Sequence, residues 1–257
     1  MTSNETEAAY LERYNIHHYD LPLITVDMAI FTVKDEQLQV LLVQRAQHPA
    51  KGQWALPGGF IDLQKDQSLE DAAYRKLKEK TGVDTPYLEQ VATVGNRRRD
   101  PRGWSVTVAY FALISSDDIR LDADSRSENI AWIPVTKLNH PADPADHLKN
   151  TEKLTLAFDH ANILQTCVER LRAKGQYTSL AVNLLPEAFT LSELQKTFEI
   201  ILGTSVEKKS FRRRILEADI LVDTGEMKSG VSRPAKLYKV KSRGENHFFA
   251  RNMEGGK

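Results

Sequence analysis

Residues 56–83 of the 257-residue chain have the sequence LPGGFIDLQKDQSLEDAAYRKLKEKTGV. The proline followed by two glycines predicts a turn. Ser68 with Asp71 three residues later is typical of the first turn of a helix, and Gly82 is typical of a helix end. The stretch therefore predicts a glycine turn and then a helix from Ser68 to Lys80.

Strands are predicted on both sides of this stretch, because short runs rich in Val, Ile and Leu are separated by polar turns. The predicted strands are residues 23–31, 38–44, 89–96, 105–115 and 130–133. The first two flank the polar turn 34–37 and form an expected hairpin. Such a mixture of strands and helices indicates an α/β or α+β domain.

Composition narrows the class of protein. Hydrophobic residues make up 41% and charged residues 27%, as in ordinary globular proteins. No apolar run approaches the ~18 residues of a membrane helix, and the first residues lack the features of a signal peptide. The single cysteine, Cys167, lies in an apolar-periodic stretch, so we expect it to be buried. We expect a cytoplasmic protein without a membrane partner.

The net charge is zero, but it is unevenly distributed. From Lys174 to the end the chain has fifteen Lys and Arg against ten Asp and Glu, which leaves this part at about +5. The rest of the chain must then be acidic. This asymmetry indicates a polyanion-binding module in the C-terminal part.

Two helices with a short turn between them are predicted in that part. Thr190 and Glu193 form a capping box, apolar residues follow at helical spacing, and Gly203 ends the first helix. The second helix is expected from Ser205 to Ala218. This arrangement is typical of a helix-turn-helix.

The second helix has a basic face, and a hairpin with a glycine-containing basic loop follows it. Predicted strands 220–223 and 236–241 flank this loop, which has the features of a wing. Such a helix fits the ~12 Å major groove of DNA, while the wing contacts the backbone or minor groove. A solvated basic face or a protein-docking winged helix remains the alternative. The candidate DNA contacts are Lys208, Lys209, Ser210, Arg212, Arg213, Arg214, Arg233 and Lys236.

Apolar residues at helical spacing also connect the two parts. They predict a helix from Thr151 to Ala173 that Lys174 and Gly175 close. We therefore expect a first domain at 1–150, a linker helix at 151–175 and a winged helix at 176–257.

Residues 59–83 resemble the Nudix box, G-x5-E-x7-R-E-U-x-E-E-x-G-U with U apolar. The segment from Arg75 to Val83 aligns with its end, and Trp132 to Val135 resembles the segment after the last Nudix strand. The resemblance covers most of residues 20–140. It implies a nucleotide site on a Nudix-type α/β/α sandwich with a mixed sheet, so the whole chain is expected to be α+β.

The box itself is eroded. In the family its glutamates share one helix face and hold Mg²⁺ against a pyrophosphate. Here three of these positions are Lys76, Glu79 and Lys80, and the fourth aligns with Gln67. A charged lysine has no lone pair for a metal. We therefore expect neither a metal site nor hydrolysis, and a structural role for Arg75.

Ligand binding stays open when hydrolysis is lost. Lys76 and Lys80 either attract an anionic ligand in place of the metal or lie on a solvated helix face. The arginine-rich loop 97–103 either closes over a diphosphate or is a charged hairpin tip. His17 and His18 are expected to be surface residues. The candidate ligand contacts are Arg45, Gly58, Gly59, Lys76, Glu79, Lys80, Arg99 and Arg102.

The order of the two parts resembles the NrtR family, Nudix-related transcriptional regulators of bacterial NAD metabolism. Further stretches that resemble this family are LAFDH at 156–160, SFRRRIL at 210–216 and RPAKLY at 233–238. The resemblance implies a homodimeric repressor of NAD biosynthesis or salvage genes that binds a palindromic operator. It also implies ADP-ribose or a related nucleotide as effector, with no cofactor required.

Two alternative functions remain. The first is an active Nudix ADP-ribose pyrophosphatase with an appended winged helix. The second is a nucleotide-gated protein-interaction module that does not bind DNA.

Overall fold

A computed structural model describes residues 6–84, 87–119, 129–138, 154–229 and 234–253. The strands are β1 (Leu23–Lys34), β2 (Gln37–Gln44), β3 (Trp54–Ala55), β4 (Gly58–Phe60), β5 (Leu88–Asn96), β6 (Ser105–Leu113), β7 (Ile130–Pro134), β8 (Leu221–Lys228) and β9 (Ala235–Val240). The helices are α1 (Glu7–Arg13), α2 (Leu69–Thr81), α3 (His160–Tyr177), α4 (Leu191–Leu202) and α5 (Lys208–Glu217).

Strands β1 to β7 form one mixed sheet. Its main order is β3-β2-β1-β6-β5, with β4 on β1 and β7 on β2. Strand β1 runs parallel to β6 and antiparallel to β2. Because successive side chains of a strand point to opposite faces, Met28 belongs to the apolar cluster that includes Leu77 of α2, whereas Phe31 belongs to the cluster that includes Leu164 of α3. The expected α/β/α sandwich with a mixed sheet is confirmed.

Helix α2 begins and ends within one residue of the predicted bounds, with the predicted Ser68 and Gly82 at its two ends. The Ser68 hydroxyl accepts a hydrogen bond from the Asp71 backbone N–H. Gly82 follows the helix with φ of 67°, a left-handed conformation that favours glycine. The turn and the caps therefore fix α2 against the sheet.

Helix α3 differs from the prediction at both ends. It begins at His160 and not at Thr151, because Leu154 and Leu156 make isolated bridges to Leu138 and Trp54. Their apolar spacing belongs to strand-like pairing, and residues 151–153 lie outside the described part of the chain. The helix also continues through Gly175 to Tyr177. The expected closure at Lys174 and Gly175 is therefore wrong.

Gly175 has a packing role inside α3. A Cβ atom at this position would lie 3.2 Å from Cγ2 of Ile201 in α4. Glycine therefore lets the two helices approach closely, and α3 packs directly on the winged helix. Nearby Cys167 is buried as expected, and burial raises the pKa of its thiol to about 12.

The helix-turn-helix and the following hairpin are confirmed, with shifted bounds. Helix α5 begins at Lys208, later than the predicted Ser205, because the Glu207 carboxylate caps the backbone N–H groups of Lys209 and Ser210. Strand β8 extends to Lys228, so the loop before β9 is shorter than predicted. Arg233 lies outside the described residues.

The two parts of the chain share one apolar cluster. It includes Phe111 of the sheet, Leu171 of α3, Phe198 of α4 and Phe211 of α5. The rings of Phe198 and Phe211 meet edge to face at 5.5 Å. Helix α3 is thus part of a continuous core between the sheet and the winged helix. None of the described helices is long and apolar enough to cross a membrane.

Candidate nucleotide cavity and DNA-binding surface

A cavity of about 580 Å³ lies where β1, β4, α2 and the loop after β5 meet. It extends to Phe158 and His160 at the start of α3. Its lining includes all eight candidate ligand contacts: Arg45, Gly58, Gly59, Lys76, Glu79, Lys80, Arg99 and Arg102. The structure therefore brings together residues that are far apart in the sequence.

Glu79, the one remaining box glutamate, is already paired. Its Oε1 accepts a hydrogen bond from Arg75 at 3.1 Å, and its Oε2 lies 3.3 Å from the Lys76 ammonium. Burial opposes ionisation of Glu79, but the Arg75 hydrogen bond and the Lys76 charge prevail and lower its pKa. No group of three metal-binding side chains occurs among the described residues. Lys76 and Lys80 line the α2 side of the cavity, which is therefore suited to an anion.

Asp66 is an ion-pair partner of Arg75 that the sequence analysis missed. Arg75 donates to both of its carboxylate oxygens, at 2.7 and 2.5 Å. This hydrogen bonding by Arg75 lowers the pKa of Asp66 to about 2. Gln67 aligns with a glutamate position of the box, and the acidic Asp66 lies one position before it in the sequence. Arg75 therefore ties Asp66 to Glu79, consistent with a structural role.

The buried side of the cavity is an ion-pair cluster that centres on Arg99. The Arg99 side chain is only 5% exposed and contacts Asp159 at 3.1 Å and Asp27 at 3.3 Å. Arg99 therefore lies in the wall of the cavity and is not part of an exposed, charged hairpin tip. Asp27 lies in no recognisable motif, and Asp159 is marked only by the LAFDH stretch, because both residues act through contacts distant in sequence.

His160 joins this cluster to the glycine turn. Its Nδ1 accepts a hydrogen bond from the Leu56 backbone N–H at 2.9 Å. Burial lowers the pKa of His160, and this effect outweighs the opposing charge of Asp27. Next to Leu56 in the turn, a Cβ atom at Gly58 would lie 2.3 Å from Asp27 Oδ1. Position 58 thus requires glycine.

Two arginines at the cavity lie over aromatic rings. The Arg45 guanidinium is 4.6 Å from the centre of the Phe158 ring, and Arg102 is 5.1 Å from that of Phe60. Arg102 also donates to both carboxylate oxygens of Asp100, from Nε to Oδ1 at 3.0 Å and from an Nη atom to Oδ2 at 2.7 Å. Such stacked pairs combine positive charge with flat apolar surface. The cavity therefore offers cationic groups and planar faces together, which suits a nucleotide.

A second groove, of about 800 Å³, lies between the start of α4, helix α5 and the hairpin. Three of the candidate DNA contacts, Lys208, Arg212 and Lys236, line it. The Arg212 guanidinium is 3.4 Å from the Ser192 hydroxyl, and Lys236 pairs with Asp223 at 2.7 Å. The groove thus has a basic wall formed by both α5 and the hairpin.

The other candidates on α5 separate into two groups. Lys209 and Arg213 are exposed and Ser210 is half-buried, so all three are accessible on the helix. Arg214 is turned away, towards the end of the chain, where it donates to the Asn252 carbonyl and lies 3.6 Å from the Met253 sulfur. Its position indicates a structural contact with the C-terminal segment.

The fold and the two sites define a protein with a Nudix-type domain and a winged helix. The NUDIX domain family matches residues 23–154, and the NrtR DNA-binding winged helix domain matches residues 181–240. The chain is 48% identical to the ADPR responsive transcriptional repressor NtrR of Acinetobacter baylyi, across 97% of this chain and 94% of that protein. The chain belongs to the NrtR family.

Solved structures agree with this assignment. Shewanella oneidensis NrtR complexed with a 27mer DNA is 45% identical, with a TM-score of 0.76 over 90% of this chain and 99% of that one. The NUDIX domain of Shewanella oneidensis NrtR complexed with ADP ribose is 46% identical, with a TM-score of 0.55. That match covers 65% of this chain and 99% of the solved domain.

Proposed function

We propose that this protein is a transcriptional repressor of NAD biosynthesis or salvage genes that ADP-ribose or a related nucleotide controls. The observation that carries the proposal is the presence in one chain of a cationic Nudix-type cavity and an accessible basic α5. The similar protein from Acinetobacter baylyi is named an ADPR responsive transcriptional repressor, which supports both the repressor role and the control by nucleotide.

Lys76 and Lys80 take over the electrostatic role of the metal in this proposal. Both line the cavity at positions where the box has glutamates. The Lys76 ammonium lies 3.7 Å from the position of a Cβ on Gly59, so it is next to the glycine turn. A diphosphate there meets positive side chains directly, and its binding requires no divalent cation.

The same arrangement is unsuited to hydrolysis. Catalysis in the family depends on a metal that neutralises the phosphoryl charge and orients the attacking water. Here both carboxylate oxygens of Glu79 are paired with Arg75 and Lys76. We therefore propose that the ligand leaves the site chemically unchanged. The alternative, an active ADP-ribose pyrophosphatase, requires a metal to displace both cations from Glu79.

On the DNA side, α5 enters the major groove and the hairpin contacts the backbone. The protein acts as a homodimer, and its two winged helices bind half-sites about 34 Å apart, or a multiple of that distance. Lys208, Lys209, Arg212 and Arg213 are the main contacts. Their charges release counterions from DNA, so the affinity falls steeply as salt concentration rises.

Two assays test the proposal. Fluorescence anisotropy with promoter fragments of NAD-related genes should show tight, salt-dependent binding to a palindromic sequence and weak binding to a scrambled one. Chromatography of ADP-ribose after incubation with protein and Mg²⁺ should recover the nucleotide intact. Absence of operator binding would refute the repressor, and turnover that Glu79→Gln abolishes would favour the pyrophosphatase.

A further inference from the structure

The N-terminal arm, residues 6–22, is exposed along its whole length. Neither α1 nor the short turn at Ile16–His18 has a buried residue. Nevertheless the arm carries large apolar side chains with exposed fractions of 44 to 60%. These are Tyr10, Leu11, Tyr14, Ile16, Tyr19 and Leu21. Exposed apolar surface of this density marks an interaction site.

Few contacts stabilise the conformation of the arm. The Thr6 hydroxyl caps α1, and the Tyr14 ring lies 5.6 Å from Tyr10 and 5.8 Å from Tyr19. A seven-residue helix such as α1 is far below the ~12–15 residues that an isolated helix needs in water. A surface that covers the tyrosines would supply the missing stabilisation.

The apolar surface continues from the arm onto the body of the protein. The Leu23 backbone N–H donates to the Trp104 carbonyl at 3.0 Å, and Ile24 and Trp104 are 40% and 47% exposed. The Trp104 ring lies against Gly95 of β5, where a Cβ would be 3.1 Å from it. The arm is thus attached to the domain next to the hairpin that joins β5 to β6.

The N-terminal arm and the tip of the neighbouring β5–β6 hairpin have opposite charges. The described arm has three acidic side chains, Glu7, Glu12 and Asp20, against Arg13, which gives a net charge of −2. The hairpin tip exposes Arg97 and Arg98, and neither side chain has an ion-pair partner within the described part of the chain. An acidic arm is repelled by DNA phosphates and by anionic lipid. It complements the tip of a second copy.

We propose that the N-terminal arm is the dimerisation element, and that it docks on the arginine tip of a second copy. The arrangement is reciprocal, because each copy supplies one arm and one tip to a two-fold interface. Glu7 and Glu12 face Arg97 and Arg98 of the second copy. This inference rests on the proposed function, which requires two copies, and it names the surface that joins them.

The available area is sufficient for a stable dimer. Eight half-exposed apolar residues on the arm and its base each present about 100 Å², roughly half of the area of a large side chain. Coverage on both copies buries about 1,600 Å², the size of a standard specific interface.

Sedimentation velocity of the full chain over a range of concentrations tests whether the apolar side chains of the arm stabilise the dimer. The wild type should be a dimer, and the triple variant Tyr10→Ser, Leu11→Ser, Tyr14→Ser should raise the dimer dissociation constant by more than about tenfold. The matched control is Leu63→Ser, an 81% exposed apolar residue outside the arm, which should leave the constant unchanged. Thermal unfolding of each variant verifies that it is folded.

Charge exchange tests the pairing itself. Glu7→Lys with Glu12→Lys should weaken the dimer, and Arg97→Glu with Arg98→Glu should do the same. The chain with all four substitutions should recover an affinity close to that of the wild type. Such recovery is not expected of residues that act only in folding.

Three results would overturn the inference: a monomeric wild type, a dimer that the arm variants leave intact, or four substitutions that weaken the dimer additively. Different results would refute the proposed function. A dimer that binds no operator would refute the repressor and leave the arm interface standing, whereas operator binding by arm variants that remain dimeric would refute only the interface.

Discussion

Arg99 donates hydrogen bonds to both carboxylate oxygens of Asp159, each at 3.1 Å. Arg99 lines the nucleotide cavity, and Asp159 immediately precedes α3. Helix α3 spans about 27 Å at 1.5 Å per residue and packs on α4 at Gly175. The pair thus connects the wall of the cavity to the helix on which the winged helix rests.

Asp159→Asn should destabilise the protein, because it removes half of the carboxylate charge that balances the buried Arg99. We expect the free energy of unfolding in urea to fall by about 3 kcal/mol. Glu169→Gln is the control, since it makes the same change on an exposed position of α3 and should stay within about 0.5 kcal/mol. Equal effects of the two substitutions would contradict a special role for the Arg99–Asp159 pair.

Restoration of acidic residues in the box should weaken ligand binding. Lys76→Glu with Lys80→Glu places negative charge beside the diphosphate, so calorimetry in EDTA should show an affinity for ADP-ribose at least about tenfold lower. Lys78→Glu lies on the same helix, outside the cavity lining and paired with Asp84, and should bind as the wild type does. Undiminished affinity in the double variant would place these lysines on a merely solvated face.

Arg213→Glu should weaken operator binding by at least about tenfold. The reason is that a glutamate at this exposed position of α5 repels the neighbouring DNA phosphate. Lys65→Glu, an exposed change of the same charge in the loop before α2, should have little effect. Anisotropy titrations at two salt concentrations measure both variants. A similar loss in both would indicate a general effect of net charge and no specific α5 contact.

Stability should decrease as the pH falls through the ordinary pKa of His160. Burial keeps the folded-state pKa of this imidazole below its ordinary value of 6.5, so below that pH the unfolded chain binds a proton that the folded chain excludes. The stabilisation is complete above pH 6.5 and declines by up to about 1.4 kcal/mol per pH unit below it.

The variant His160→Asn keeps an acceptor for the Leu56 N–H but does not titrate. Urea unfolding between pH 5 and 7 should therefore be less pH-dependent for it than for the wild type. An identical pH profile would show that His160 does not contribute to the slope.

The sequence predicted elements whose determinants are local. The capped helix α2, the capping box at Thr190 and the glycine turn depend on residues three or four positions apart, and all were confirmed. The start of α3 was wrong because Leu154 and Leu156 pair with distant segments, which no local pattern reveals. Local spacing identifies an element only when its partners are also local.

The same distinction applies to the cavity. Alignment with the Nudix box identifies Lys76 and Lys80, because the box specifies which positions normally have glutamate. The cluster of Asp27, Arg99 and Asp159 was not, since its members are separated by 72 and 60 residues. Arg99 was a candidate ligand contact, whereas the LAFDH stretch, which contains Asp159 and His160, was noted only as a resemblance to the family.

The proposed function requires coupling between the cavity and α5, and one titration measures this coupling directly. Purified protein is bound to its labelled operator, and anisotropy is followed as ADP-ribose is added without metal. We expect the operator affinity to change at least about tenfold, which corresponds to about 1.4 kcal/mol of differential binding, with the nucleotide recovered intact. Operator affinity that stays constant while calorimetry shows ADP-ribose bound would contradict the account.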